Sequence, residues 1–271
     1  VGKDALGMDV SLRTPILEAF RRYDVPLEVR LEAAAGAFSP KALEQIALLL
    51  LLLDDGEAAV REAAERSLGA LDRERLAAIL ALPETPSELV GFFAGRGITP
   101  RTAAVDEIAP MLDDPDEVAV PEEDVEGGGN DADRDRSLTQ QLAQMTIVQR
   151  VRAAMKGSRE VRAMLVRDPN RMVASAVLSS PKLTLAEVEA FAKMANVSED
   201  VLRTIGQNRA WMKSYTVAHA LTKNPKTPVA MSMNLLARIT DRDVKAISVD
   251  RNVPEALRVA ARKRASANQS K

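Results

Sequence analysis

The chain of 271 residues has room for one large domain or two small ones, and its 46% hydrophobic content is ordinary for a packed protein. It contains no cysteine and one histidine, His219, which excludes disulfides, cysteine-bound metal centres and any site that needs two histidines. The formal net charge is −2, so the chain as a whole is neither strongly acidic nor strongly basic. Only 3% of the residues are aromatic, which predicts an aliphatic core and favours helices over sheets.

The near-neutral total conceals a strong charge asymmetry along the chain. Residues 1–137 carry 14 basic and 29 acidic side chains, a net charge of −15. Residues 138–271 carry 23 basic and 10 acidic side chains, a net charge of +13. A surface with this excess of positive charge favours nucleic acid, an anionic membrane or an acidic protein as a ligand.

An acidic stretch separates the two halves. Between Asp113 and Asp135 lie eleven acidic residues and a single basic one, Arg134, together with Gly127-Gly128-Gly129 and almost no bulky apolar residue. Such a segment cannot bury enough surface to offset the entropy of ordering it. We therefore predict an N-terminal module at 1–112, a disordered acidic linker at 113–137 and a basic C-terminal module at 138–271.

Helix-start signals recur along both modules. A Ser or Thr before Pro puts a capping hydroxyl next to the residue best tolerated in a first helical turn. Such pairs occur at Thr14-Pro15, Ser39-Pro40, Thr85-Pro86, Thr99-Pro100 and Thr227-Pro228. Capping boxes are predicted for Thr85 with Glu88 and for Thr184 with Glu187. With no convincing strand alternation, the sequence predicts an all-α fold of about fifteen short helices.

The N-terminal module contains an internal repeat. The pattern Asp24-x4-Val29-Arg30-x2-Ala33 returns 31 residues later as Asp55-x4-Val60-Arg61-x2-Ala64. This pattern resembles the inner-helix signature of HEAT repeats. The resemblance implies that the Asp and Arg side chains form a ladder between neighbouring repeats, to which it assigns Asp24, Arg30, Asp55 and Arg61.

The C-terminal module repeats with a period of about 40 residues, typical of two or three helices. Leu165-x2-Asp168-x-Asn170 aligns with Ile205-x2-Asn208 and with Ile247-x2-Asp250-x-Asn252. Ser180-Pro181-Lys182 aligns with Asn224-Pro225-Lys226. We interpret Asp168, Asn208 and Asp250 as turn residues whose side chains bond local backbone N–H groups.

Together these repeats resemble HEAT, armadillo and leucine-rich-repeat-variant proteins of bacteria. The resemblance implies an α-solenoid in two modules that acts by binding. Some arrays of this kind carry an iron–sulfur cluster, which this chain cannot hold through cysteine. No catalytic motif, metal-ligand pattern or cofactor fingerprint is found, so we expect no enzyme activity, no metal and no cofactor, with His219 as an ordinary helix residue.

Two groups of residues are candidates for a ligand surface. Arg152, Lys156 and Arg159 would form one basic stripe if a single helix ran through them. Against that, Gly157-Ser158 is typical of one helix ending and the next beginning. Arg209, Trp211 and Lys213 could stack on bases or hold a peptide, although a tryptophan that plugs the core is the favoured alternative.

Two functions fit these features. The first is a scaffold or adaptor that binds an unidentified protein partner. The second is binding of nucleic acid or another polyanion by residues 138–271, masked by the acidic linker. The longest apolar run, Ile46 to Leu53, is too short for a membrane span. We expect a cytoplasmic protein of unassigned oligomeric state, with the possibility of an upstream segment left open because the chain begins at Val1.

Overall fold

The computed structural model describes residues 12–39, 41–102, 109–113 and 131–267, with side chains from residue 136 onward in the last range. These residues form an all-α protein without strands, as the composition predicts. The N-terminal helices are α1 (Pro15–Arg22), α2 (Leu27–Ala34), α3 (Ala42–Leu52), α4 (Ala58–Ala70), α5 (Arg73–Ile79) and α6 (Ser87–Ala94). None of the described helices is long and apolar enough to cross a membrane.

The C-terminal part contains ten further α-helices and a short 3₁₀ helix at Trp211–Lys213. Their bounds are α7 (Asp131–Gln144), α8 (Ile147–Lys156), α9 (Arg159–Leu165), α10 (Arg171–Ser179), α11 (Leu185–Lys193), α12 (Glu199–Gln207), α13 (Tyr215–Lys223), α14 (Val229–Leu236), α15 (Asp241–Val249) and α16 (Glu255–Ala267). The predicted linker, 113–137, falls mostly on residues outside the described ranges. Its last residues, from Asp131, are helical and belong to α7.

Only some of the predicted helix caps form. Thr14 caps α1 with Pro15 as its first residue, and Thr184 with Glu187 forms the predicted capping box of α11. The other predictions that fall on described helices are wrong. The hydroxyl of Thr85 donates to the Ile79 carbonyl at 2.7 Å instead of capping α6, and α3 begins after Lys41 instead of after Ser39. In α6 and α14 the proline is itself the cap residue in an extended conformation, which places the preceding threonine outside the helix.

Helices α8 to α16 fall into three consecutive units of three helices each, which we call unit 1 (α8–α10), unit 2 (α11–α13) and unit 3 (α14–α16). In each unit the third helix packs against the first. The unit length matches the period of about 40 residues found in the sequence. The side chains of Asp168, Asn208 and Asp250 each accept a hydrogen bond from the backbone N–H two residues later, at 2.7–2.9 Å, so their interpretation as turn residues is confirmed.

In each unit, donors from the third helix or from just after its end satisfy the last carbonyls of the first helix. The Ser180 hydroxyl donates to the Met155 carbonyl at 2.7 Å, and the Asn224 amide donates to the carbonyls of Ala192 and Met194, both at 2.9 Å. In unit 3 the Arg264 guanidinium bonds the carbonyl of Leu236, the last residue of α14, and that of Ile239, three residues further along the chain. These bonds provide partners for groups that every helix end leaves unsatisfied.

These hydrogen bonds place the end of the first helix of one unit close to the start of the first helix of the next. The end of α8 lies beside Ser180, five residues before α11 begins, and the end of α11 lies beside Asn224, five residues before α14 begins. Helices α8, α11 and α14 therefore follow one another along one edge of the three units.

The N-terminal helices use a similar bond and an ion pair. The Ser67 hydroxyl in α4 donates to the carbonyl of Ala34, the last residue of α2, at 2.6 Å. Arg30 and Asp55 form an ion pair between the two copies of the N-terminal repeat pattern, and Arg61 donates to the Asp55 carbonyl at 2.6 Å. Asp24, the remaining residue of the expected ladder, is exposed.

Helices from the two sides of the acidic linker are in contact. Helix α1 packs on α10, where the Ile16 backbone N–H donates to the Ser179 hydroxyl at 2.9 Å. Helix α2 packs on α8, where Arg152 and Glu32 form an ion pair at 2.6 Å. The buried apolar residues of both sides form one continuous core.

A buried ion pair joins units 1 and 2. Arg162 in α9 donates to Glu187 in α11 at 2.8 Å, and both side chains are at most 5% exposed. Burial alone would raise the pKa of Glu187, but hydrogen bonds from Arg162 and Thr184 outweigh it and hold this pKa below its usual value. The ionised pair stabilises the folded chain at neutral pH, and this contribution is lost as the pH falls.

Removing the charge of Glu187 should therefore destabilise the fold. We expect Glu187→Gln to lower the free energy of unfolding by about 3–5 kcal/mol, because it leaves Arg162 buried without its counter-charge. The matched control is Glu199→Gln, which breaks an exposed pair with Arg203 and should cost less than about 1 kcal/mol. Urea unfolding at pH 7 measures both, and equal losses would contradict the importance of the buried pair.

A second buried carboxyl gives the fold a different pH dependence. Glu44 in α3 is 5% exposed, and burial raises its pKa from 4.5 to about 7 despite a hydrogen bond from Thr14 and the nearby charge of Lys41. The folded chain thus holds the Glu44 proton more tightly than the unfolded chain does. Its contribution to stability falls as the pH rises between these two values and is constant outside them.

We expect Glu44→Gln to stabilise the protein by about 3 kcal/mol at pH 8 and by almost nothing at pH 4.5, because the amide mimics the protonated carboxyl. The measurement is the difference in unfolding free energy between the two chains as a function of pH, which cancels the titration of other groups. A difference that does not change with pH would show that Glu44 ionises normally in the folded state.

Candidate binding surface

The predicted basic stripe does not exist as one helix face. Helix α8 ends at Lys156 because Gly157 terminates it, and Ser158 caps α9 by accepting a bond from the Val161 backbone at 3.4 Å. The interpretation of Gly157-Ser158 as a helix boundary is thus confirmed. Lys156 and Arg159 are exposed on separate helices.

Arg152 is not a surface residue. It is 4% exposed, pairs with Glu32 of α2 and lies over the ring of Phe38 at 5.7 Å. The prediction that it belongs to an exposed basic stripe is wrong, because α8 packs against α2 and buries the side chain, which lines a cleft together with Lys156 and Pro181 instead. The sequence could not show this contact, since the two partners are 120 residues apart.

The second group of predicted residues is divided between core and surface. Trp211 is partly buried and packs against the hydrophobic core from its 3₁₀ helix, as the favoured interpretation expects. Its backbone N–H donates to the Asn208 side chain at 3.2 Å. Arg209 and Lys213 on either side are exposed.

The edge formed by α8, α11 and α14 carries exposed basic residues at its joints. We call this the basic edge and define it by Lys156, Lys182, Lys193, Lys226 and Arg238. Lys156 and Lys182 meet at the first joint, where the Lys182 ammonium donates to the Lys156 carbonyl at 3.0 Å. Lys193 ends α11 and Lys226 follows α13, so both belong to the second joint.

Exposed aliphatic side chains accompany these lysines. Leu185 is 47% exposed three residues after Lys182, and Val229 is 42% exposed three residues after Lys226. Met233, one turn further along α14, is 40% exposed. The nine residues of α11 separate the two joints by about 13 Å at the usual helical rise. The repeated Pro-Lys pairs in the sequence indicate that a lysine recurs before α11 and before α14. Only the positions of the helix ends show that these lysines lie at two joints connected by α11.

A cleft of about 390 Å³, which we call the junction cleft, lies where the N-terminal helices meet the first joint. The loop after α2, residues 36–39, forms one wall, and residues 110–113 form another. The buried Gln45 side chain joins these walls: it donates to the carbonyls of Gly36 and Leu112 and accepts from the N–H groups of Met111 and Leu112. The cleft is completed by Pro181 and by three residues of α8, Arg152, Met155 and Lys156.

A second cleft of about 590 Å³, which we call the arginine cleft, lies between α1 and the end of α12. Arg13, Arg22 and Arg209 line it together with Glu18 and the polar residues Thr204, Gln207 and Asn208. Glu18 pairs with Arg13 at 2.9 Å, with Arg22 at 3.0 Å and with Arg21 at 3.3 Å. One carboxylate thus pairs with several guanidinium groups.

The single histidine lies in a small polar cluster between α13 and α15. His219 is 30% exposed, stacks on Tyr215 and has its Nε2 atom 3.9 Å from an Asp243 oxygen. The hydroxyl of Tyr215 bonds Asp243, and this bond, with one from Thr240, lowers the pKa of Asp243. In the described part of the chain no three His, Asp or Glu residues come together as a metal site.

Comparison of the chain with protein-family models, with curated proteins and with solved structures finds no match.

Gly36 is essential to the junction cleft for two reasons. Its φ of +103° is unfavourable for any residue with a side chain, and an added Cβ would lie 2.9 Å from the Leu112 Cβ. We expect Gly36→Ala to destabilise the protein by about 1–3 kcal/mol, from strain and from displacement of residues 109–113. Gly69→Ala is the control, because this helical glycine has open space around it and should stabilise by about 0.5–1 kcal/mol. Thermal unfolding that shows the same sign for both would contradict the special requirement for glycine at position 36.

Proposed function

We propose that the protein is a non-enzymatic helical-repeat scaffold whose basic edge binds an acidic segment of another protein. The observation that carries the proposal is the repetition, at two consecutive joints, of two exposed lysines beside an exposed aliphatic residue: Lys156, Lys182 and Leu185 at the first joint, and Lys193, Lys226 and Val229 at the second.

The mixture of charge and apolar surface distinguishes the expected ligands. A phosphate backbone is bound through cations and offers nothing to Leu185 or Val229. A peptide that combines carboxylates with aliphatic side chains satisfies both kinds of residue. Stacking of bases receives little support, because Trp211 packs against the core and the Tyr215 ring stacks on His219. A protein partner is therefore favoured over nucleic acid.

The array supports this role through its geometry. Each three-helix unit packs on its neighbours and leaves a long ordered surface that can present the same residues at regular intervals. A HEAT- or armadillo-like solenoid remains our interpretation of this arrangement. The masking of residues 138–271 by the acidic linker also stays a prediction, because most of the linker lies outside the described ranges. Between residues 113 and 130 the structure describes only Asp113, which lines the junction cleft together with Lys156.

The test uses the full chain and fluorescence anisotropy. The probes are a labelled peptide that alternates Glu with Leu, the same peptide with Ser in place of Leu, and a single-stranded DNA of equal charge. We expect the Glu/Leu peptide to bind most tightly, and the double variant Lys182→Glu with Lys226→Glu to weaken it by about tenfold or more through like-charge repulsion.

The matched control is Lys245→Glu with Arg251→Glu, which makes the same charge change at exposed positions on α15 and just after it, where no residue of the basic edge lies. We expect it to change affinity by less than about threefold at near-physiological salt, where screening limits distant charges. Equal losses in both variants would show nonspecific attraction. Tighter binding of the DNA would instead support the nucleic-acid function, and absence of peptide binding at about 100 μM, well above the usual affinity of a specific complex, would contradict the scaffold proposal.

A further inference from the structure

Helix α14 presents an exposed apolar face. Val229 and Met233 on this helix are 42% and 40% exposed, and both Ala230 and Ala237, the residue that follows the end of the helix, are exposed as well. The other side of α14 packs against α13 and α16. The apolar face is therefore the side of α14 on which an element of another molecule can pack.

The spacing of these exposed side chains matches the packing surface of a helix. Val229, Met233 and Ala237 are four residues apart, so they form one row along α14 that is about 12 Å long. Rows with this spacing fit into the grooves between the corresponding rows of a second helix. The small side chains of Ala230 and Ala237 let the second helix approach closely.

This face offers few hydrogen bonds to the backbone of a ligand. Asn234 is the only exposed polar side chain of α14, because Ser232 is buried. At the joint before α14, the Asn224 amide is already bonded to two carbonyls of the chain. An extended peptide on this face would exchange its backbone contacts with water for almost no partners, whereas a helix satisfies its backbone internally. A helix is therefore the form of ligand that this face favours.

Charges at the two ends of this face favour an acidic ligand. Residues 201–240 contain six basic residues and no acidic one. Lys226 precedes α14 and Arg238 follows it. Both are exposed, and within the described part of the chain neither forms an ion pair. Asp241, the first acidic residue after this stretch, pairs with Arg264 at 3.4 Å. Carboxylates of a ligand would therefore meet one exposed cation at each end of the apolar row.

We propose that the partner segment is an amphipathic helix that packs on α14, with aliphatic side chains on the row from Val229 to Ala237 and carboxylates beside Lys226 and Arg238. This inference rests on the proposed function, since it names the form of the segment that binds at the second joint and beyond it. A helix of about three turns, or about 16 Å, spans the row and the cation at each end. Helix-on-helix docking of this kind uses the same apolar spacing on both partners.

The experiment measures the binding of labelled peptides to the full chain by fluorescence anisotropy. Two peptides have the same composition of Leu, Glu and Ala. In the first, the Leu residues are three and four positions apart, so that they share one helix face, and in the second they occupy every second position. We expect the first peptide to bind at least about fivefold more tightly. A version of it with a central proline should lose about tenfold or more, because proline breaks a helix interior.

The outcomes separate this inference from the function on which it rests. Equal affinities of the two peptides, tighter binding of the alternating peptide, or no effect of the proline would overturn the helical form and leave the scaffold function standing. Binding of neither peptide at about 100 μM would contradict both.

Variants locate the bound helix. Met233→Glu places a negative charge in the middle of the apolar row and should weaken the helical peptide by about tenfold or more, through lost apolar contact and like-charge repulsion. Val249→Glu is the matched control, because it makes a similar change at an aliphatic residue of α15 that is 71% exposed. We expect it to change the affinity by less than about threefold.

Thermal unfolding without peptide checks that each variant folds. Equal losses in folded Met233→Glu and Val249→Glu chains would show that the helical peptide is held by overall charge and not by α14, which would overturn the proposal.

Discussion

The C-terminal units depend on the need to satisfy the last carbonyls of each first helix. A short helix leaves these carbonyls without intrahelical partners, and burying them unpaired costs free energy. Ser180, Asn224 and Arg264 supply the donors in units 1, 2 and 3. Each donor belongs to the third helix or to the residues just after it, so the bond also sets how the helices of a unit are placed.

This placement determines what the surface presents. The bonded helix ends become the joints of one edge, and several basic residues at these joints are exposed. Lysines near helix C-termini offset the negative end of the helix dipole, so the joints are favourable positions for them. These exposed lysines and the exposed aliphatic side chains that begin α11 and α14 make up the surface proposed to bind a partner.

The buried arginines have a different role from the exposed basic residues. Arg152 and Arg162 are both only 4% exposed, and each pairs with a carboxylate from another part of the chain. Arg152 joins α8 to the N-terminal helices, and Arg162 joins unit 1 to unit 2. The fold thus uses part of its basic excess internally. The contact between the N- and C-terminal helices also creates the arginine cleft, where charge stays exposed.

The sequence by itself determined the all-α fold, the period of the C-terminal units and several local features. The turn roles of Asp168, Asn208 and Asp250, the boundary at Gly157 and the capping box of Thr184 depend on residues within a few positions of one another, so local propensity decides them. The Thr-Pro signals failed in part because a neighbouring carbonyl, such as that of Ile79, competes for the hydroxyl.

Only the tertiary structure decided which charged side chains are buried in ion pairs and which are exposed. Arg152 and Lys156 look alike in the sequence, yet contact with Glu32 buries the first and leaves the second at a joint. Arg209 joins Arg13 and Arg22 in one cleft because α1 packs on α10. Helical spacing predicts neighbours on one helix, whereas burial and charge pairing across 120 residues or more depend on how helices pack. The candidate binding surfaces of this protein depend on this packing.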